Sequence, residues 1–109
     1  MSTLKIISDS EFETEVISAD QPVLVYFWAA WCGPCRLMAS VVATIAENYG
    51  DRLKVIKMEI DPNPLTVAQW KIEGVPAFRI FEDGALKAES EGAVSKVKLE
   101  AFIDAYLPG

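Results

Sequence analysis

The chain has no histidine and only two cysteines among its 109 residues. Without imidazole, Cys–His and Ser–His nucleophilic catalysis and Cys₂His₂ zinc sites cannot be built. Two thiolates make half of a tetrahedral site, so zinc would need carboxylates or a second chain. Long apolar runs are also missing, and nothing approaches the roughly 18 residues that span a bilayer. Residues 1–10 hold one lysine and a four-residue apolar stretch, too little for a signal or transit peptide. The expectation is a soluble cytoplasmic protein, in a reducing compartment where paired cysteines are more often catalytic than structural. Positive charge is scarce as well: 10 Lys and Arg against 16 Asp and Glu give a net charge of −6. The cations are scattered, which leaves no footprint for nucleic acid or an anionic membrane. Repeats, linkers and low-complexity stretches are absent.

What is present is a 51% hydrophobic composition, enough to fill one core over a single domain, residues 1–109. The stretch that organises it is Trp31-Cys32-Gly33-Pro34-Cys35, between an apolar run and an amphipathic helical pattern. The three-residue offset puts both thiols on one side of the helix, where they can close a small disulfide ring. At the helix N-terminus, unpaired N–H groups and the macrodipole stabilise a Cys32 thiolate, the species that attacks disulfides. The dipole contributes about 0.3–1 kcal/mol, up to about 2, and one pKa unit is about 1.4 kcal/mol, so it lowers the thiol pKa by about one unit at best. Hydrogen bonds must supply any remainder. A plain core helix would put ordinary helix formers where Gly33 and Pro34 stand, since proline is tolerated only in a first turn.

Along the chain, Leu4 to Ile7 reads as a strand. Ser8 and Glu11 have capping-box spacing for a helix to about Ser18, with Phe12 and Val16 on one face. Val23 to Trp28 is apolar on both faces, as a central strand covered by helices would be. Leu37, Met38, Val41, Val42, Ile45, Ala46 and Tyr49 follow at helical spacing until Gly50. Leu53 to Ile60 is a second inner strand. Asn63 and Pro64 can cap and open a short helix through Trp70, and Gly74-Val75-Pro76 is a turn. Ala77–Phe81 and Leu86–Glu91 flank Asp83-Gly84, a hairpin signal. Ser95 caps a last helix carrying Leu99, Phe102, Ile103 and Tyr106 before Pro108. The order implies an α/β fold: a mixed five-stranded sheet flanked by four helices.

With these motifs in place, the sequence resembles the thioredoxin family over nearly its whole length. Phe27-Trp28-Ala29-Ala30-Trp31-Cys32-Gly33-Pro34-Cys35, Ile60-Asp61, Gly74-Val75-Pro76 and the Gly84 hairpin all fall in register. The resemblance implies three parallel strands plus a C-terminal antiparallel hairpin, with the dithiol at the edge of the sheet. It implies that Cys32 attacks a protein disulfide and Cys35 resolves the mixed disulfide, leaving an oxidised Cys32–Cys35 pair that a flavin- or ferredoxin-linked thioredoxin reductase restores. Pro76 would be a cis-proline, Val75 would pair its backbone with substrate, and Trp31, Gly33, Pro34, Val75, Pro76 and Gly92 would form the docking surface. Lys57 and Trp28 would tune the dithiol. No metal and no bound cofactor is implied, and the protein would act as a monomer.

The departures from the family pattern are Tyr26 in place of a buried Asp that assists the resolving thiol, Ser40 in place of a helix-kinking proline, Ala77 in place of Thr, and Glu91 in place of an apolar residue. Tyrosine, with a reference pKa near 10, is no base at neutral pH. Two rival functions are a disulfide oxidant or isomerase on the same fold, and a non-catalytic binding subunit using the surface around Trp31.

Overall fold

The computed structural model describes residues 4–107; Pro108, read from sequence as the stop to the last helix, and the first three residues lie outside the described part. Five strands form one sheet in the order β1-β3-β2-β4-β5. They are β1 (Leu4–Ile6), β2 (Val23–Trp28), β3 (Lys54–Glu59), β4 (Ala77–Glu82) and β5 (Ala85–Glu91). β3 runs parallel to both β1 and β2, while β4 runs antiparallel to β2 and to β5. As the apolar run implied, β2 lies at the centre, and Val23 to Phe27 are all buried.

The alternation along β2 divides the core. Leu24 and Tyr26 face the layer formed by helices α1 (Gly33–Tyr49) and α3 (Lys96–Asp104), while Val23, Val25 and Phe27 face the opposite layer. That second layer holds α2 (Pro64–Gln69) and an N-terminal helical segment carrying Phe12 and Val16. α1 runs uninterrupted past Ser40 and closes at Gly50, in the left-handed region at φ +52°. Its inward stripe is Met38, Val42, Ile45, Ala46 and Tyr49. Leu37, read from sequence as part of that stripe, points outward and is 75% exposed, because it sits about 100° around the helix from Met38. Asp83 and Gly84 both have positive φ, 53° and 77°, as the tight hairpin between β4 and β5 requires. Ser95 caps α3 by accepting from the Lys98 N–H.

Two local readings are corrected. The expected single helix from Ser8 to Ser18 is a 3₁₀ turn, Asp9–Glu11, followed by a π-helical turn, Glu13–Ile17, with the Ser18 N–H bonded to the Glu13 carbonyl at 2.9 Å. Thr14, Val16 and Ile17 are β-branched and weak helix formers, so tertiary ties decide the backbone here. Chief among those ties is Asp9, whose N–H donates to Asn63 Oδ1 and whose carboxylate accepts from the N–H groups of Leu65 and Thr66. This is the second correction: Asn63 precedes α2 but its side chain makes no cap, reaching instead to Asp9 and the Glu59 carbonyl, and Asp9 supplies the cap from 56 residues away. Burial raises the Asp9 pKa, but hydrogen bonds from the Thr66 side chain and from the Thr66 and Leu65 N–H groups outweigh it, and the net shift is downward. A carboxyl lowered in the fold stabilises above its unfolded pKa near 3.8 and loses that contribution as pH falls through the folded value.

Candidate active site

Strand β2 ends at Trp28, and the chain passes through Ala29 to Trp31 before Cys32 enters α1 as its N-cap. Cys32 is extended (φ −94°, ψ 108°), and Pro34 falls in the first turn, where its missing N–H costs nothing. Cys32 and Cys35 are joined as a disulfide, with Cα atoms 5.3 Å apart. The pair therefore stands at the C-terminal end of the central strand, not along an outer strand of the sheet.

The Cys32 sulfur accepts the Cys35 N–H at 3.1 Å. This donor belongs to the unpaired first turn of α1, so it stabilises negative charge on Cys32 once the disulfide opens. Both cysteines are buried with Ala29, and Trp28, Ile60 and Val75 pack against them. The expected docking residues surround this cluster on separate pieces of chain. Val75–Pro76 is a cis peptide, and Gly92, at φ +97°, donates its N–H to the Pro76 carbonyl at 2.8 Å. Gly33, Pro34 and Gly92 are exposed, Val75 is half-buried and Pro76 is buried. Trp31 is 67% exposed yet held in place, because its Nε1–H donates to Asp61 Oδ2 at 3.0 Å. In the sequence Asp61 stands out only as part of a motif; the 30-residue separation hides its role as the anchor of Trp31.

Lys57 lies beside Tyr26 in the β2–β3 ladder, and its ammonium sits 4.8 Å from the Trp28 ring centroid. The two residues expected to tune the dithiol are thus brought together as a cation–π pair. Trp28 Nε1 has no hydrogen-bond partner among the described residues. Tyr26, 1% exposed, stacks on Phe78 and donates its hydroxyl to the Cys35 carbonyl at 2.8 Å. Burial pushes its phenol up to about 12, so it stays neutral and keeps the donor through the neutral range.

A dithiol that opens and closes at a helix N-terminus, beneath an exposed indole and a cis-proline loop, is built for exchange with disulfides. The class defined is that of the thiol–disulfide oxidoreductases. A family model described as Thioredoxin matches residues 3–105. The chain is 59% identical over 99 residues to a thioredoxin-like protein of Synechocystis sp. (strain ATCC 27184 / PCC 6803 / Kazusa), covering 91% of this chain and 90% of that protein. It is 48% identical over 101 residues to a thioredoxin of Acidithiobacillus ferridurans, covering 93% and 94%. It is 43% identical over 107 residues to thioredoxin 1 of Synechococcus elongatus, covering 98% and 100%. The chain belongs to the thioredoxin family, whose members exchange a dithiol with disulfides of protein substrates and are returned to the dithiol by a reductase. No helix among the described residues is long and apolar enough to cross a membrane.

Proposed function

We propose that the chain, as one thioredoxin domain over residues 1–109, is a monomeric cytoplasmic electron carrier in which Cys32 attacks the protein disulfide and Cys35 resolves. The observation that carries this order is the Cys35 N–H aimed at the Cys32 sulfur, since a donor in the first turn favours the thiolate on the N-cap residue. The Cys32 thiolate attacks one sulfur of the target disulfide and expels the other as a thiolate. Cys35, losing its proton, then attacks Cys32 Sγ and releases the second target thiol. Two electrons and two protons pass from the dithiol to the target, and a reductase, flavin-linked or ferredoxin-linked, returns them. Trp31, Gly33, Pro34, Val75, Pro76 and Gly92 hold the target, with the Val75 backbone adding the substrate as a strand. Lys57 on β3 and Trp28 at the end of β2 tune the dithiol. No metal or cofactor takes part in the exchange.

Trp31 provides the test of the docking surface, because its indole is exposed but fixed by Asp61. Trp31→Ala is expected to raise KM for a disulfide-bonded protein about tenfold, the loss of about 1.4 kcal/mol of interface energy. Reaction with a small aromatic disulfide, measured in parallel, should change less than about twofold, that is by well under 1 kcal/mol. An unchanged KM for the protein substrate would remove Trp31 from the docking surface. A Cys32→Ser, Cys35→Ser form that still supports growth in place of the native protein would favour the binding-subunit reading instead.

A further inference from the structure

Strand β4 carries a residue the exchange chemistry does not use. Arg79 alternates with Ala77 and Phe81 on the apolar α2 face of the sheet, yet it is only 1% exposed. A buried guanidinium is costly unless it is paired, and this one, through its Nη2 though not its Nε, is paired to a carboxylate and a carbonyl on two segments that lead into the docking loops. Its Nη2 donates to Glu91 Oε2 at 2.9 Å and to the Lys71 carbonyl at 3.5 Å, while Nη1 donates to the Phe78 carbonyl at 3.1 Å. Lys71 has a left-handed backbone, φ 54°, and starts the turn that leads into Gly74-Val75-Pro76. Glu91 is the last residue of β5, opposite Ala77, and immediately precedes Gly92, which bonds back to the Pro76 carbonyl. The second Glu91 oxygen lies 3.4 Å from the point a Cβ on Gly74 would occupy, so the carboxylate rests against the same loop.

We propose that Arg79 and Glu91 are positioning residues: a brace beneath the docking surface that fixes the Val75–Pro76 backbone relative to Gly92 and so sets affinity for protein disulfides without touching the dithiol. The proposal rests on the docking reading above. It also accounts for Glu91, a carboxylate at the rim of an apolar docking face, which serves there as the counter-ion of a buried arginine. A planar, forked guanidinium holds acceptors on different segments at fixed angles to one another, whereas a lysine ammonium is a point charge on a flexible stem.

Arg79→Met keeps an apolar stem in the core and leaves Glu91, which is 38% exposed, free to turn to water. Steady-state reduction of a disulfide-bonded protein should show KM raised about fivefold with kcat within twofold, and the rate with a small aromatic disulfide within twofold. Glu91→Ala should raise KM by a similar factor, and the double variant by no more than either alone, because the two act as one unit. Amide exchange at Gly92, whose N–H bonds to Pro76, should quicken in both variants. An unchanged KM in Arg79→Met overturns the proposal. The exchange rate then says which premise failed: faster exchange with unchanged KM condemns the docking reading, and unchanged exchange condemns the brace. Multiplied KM effects in the double variant also overturn it, since Glu91 would then act as an independent charge. If Arg79→Met does not fold, Glu91→Gln decides: it keeps an acceptor oxygen for the buried guanidinium but weakens the charge-assisted bond, so Gly92 exchange should still quicken and KM rise, and no change in either overturns the proposal.

Discussion

Replacing Cys35 by serine is expected to turn the protein from a catalyst into a covalent trap, and replacing Cys32 by serine to silence it. With Cys35→Ser, the Cys32 thiolate still attacks and still gains the first-turn N–H that points at its sulfur. No second thiol is left to resolve, so mixed disulfides with target proteins accumulate and survive until an external thiol is added. With Cys32→Ser the attacking atom becomes a hydroxyl with no base beside it, and the remaining Cys35 thiol lacks the first-turn N–H that points at the sulfur of residue 32. Protein-disulfide reduction should fall by about a thousandfold or more, the scale on which loss of a nucleophile is felt. Mass spectrometry of the protein after exposure to an oxidised substrate separates the two variants. Adducts on Cys32→Ser with none on Cys35→Ser would reverse the roles of the two thiols.

Tyr26→Asp is expected to make both stability and exchange newly dependent on pH. The site is 1% exposed and faced by Phe78, so the variant loses an aromatic ring from a packed core and gains a carboxyl with little water around it. The cavity alone costs about 3–5 kcal/mol by analogy with other large-to-small core changes. Burial raises the folded pKa of the new carboxyl above its unfolded value near 4. An acid raised in the fold binds its proton more tightly there than in the unfolded chain. The penalty is therefore absent below about pH 4 and grows by about 1.4 kcal/mol per pH unit until the folded pKa is passed. Urea midpoints of Tyr26→Asp should accordingly fall between about pH 4 and pH 7, where those of the native chain vary far less. The exchange rate of the variant should also vary more steeply near neutrality, since a carboxyl beside Cys35 is moved up toward that range by burial, while the native phenol, at about 12, lies well above it. An unchanged rate profile would show that residue 26 has no part in resolution. Should Tyr26→Asp prove too unstable, Tyr26→Phe removes only the hydroxyl bonded to the Cys35 carbonyl. That variant should cost about 1 kcal/mol and keep the native pH profile.

Much of this site could be read in the sequence because its parts are local. Cys32 to Cys35 span one helical turn, Pro34 marks the helix start, Asp83-Gly84 marks the hairpin, and Val23 to Trp28 announces a strand buried on both faces. What sequence patterns could not reveal lies in pairings across the fold. Arg79 interrupts an apolar strand, and nothing near it in sequence shows that the fold brings Glu91 from β5 and the Lys71 carbonyl from the turn after α2 to its guanidinium. Asp61 meets the Trp31 indole only because β2 and β3 run parallel and end side by side. Asp9 caps a helix 56 residues away, and the same tie displaces the ordinary helix that the Ser8 and Glu11 spacing suggested. Leu37 fits the period of the buried stripe within one residue, and only the packing of α1 decides which side of that stripe is covered.

Above all, the dithiol is expected to be a reductant despite the loss of the acidic residue at position 26. The most direct test is the midpoint potential of the Cys32–Cys35 couple in a dithiothreitol redox series, followed by the fluorescence of Trp28 and Trp31. A midpoint more negative than about −260 mV, below the glutathione pool as measured by extraction, is the expected result. A midpoint near about −180 to −120 mV, the range of disulfide isomerases and oxidants, would contradict it and make the chain a donor of disulfides.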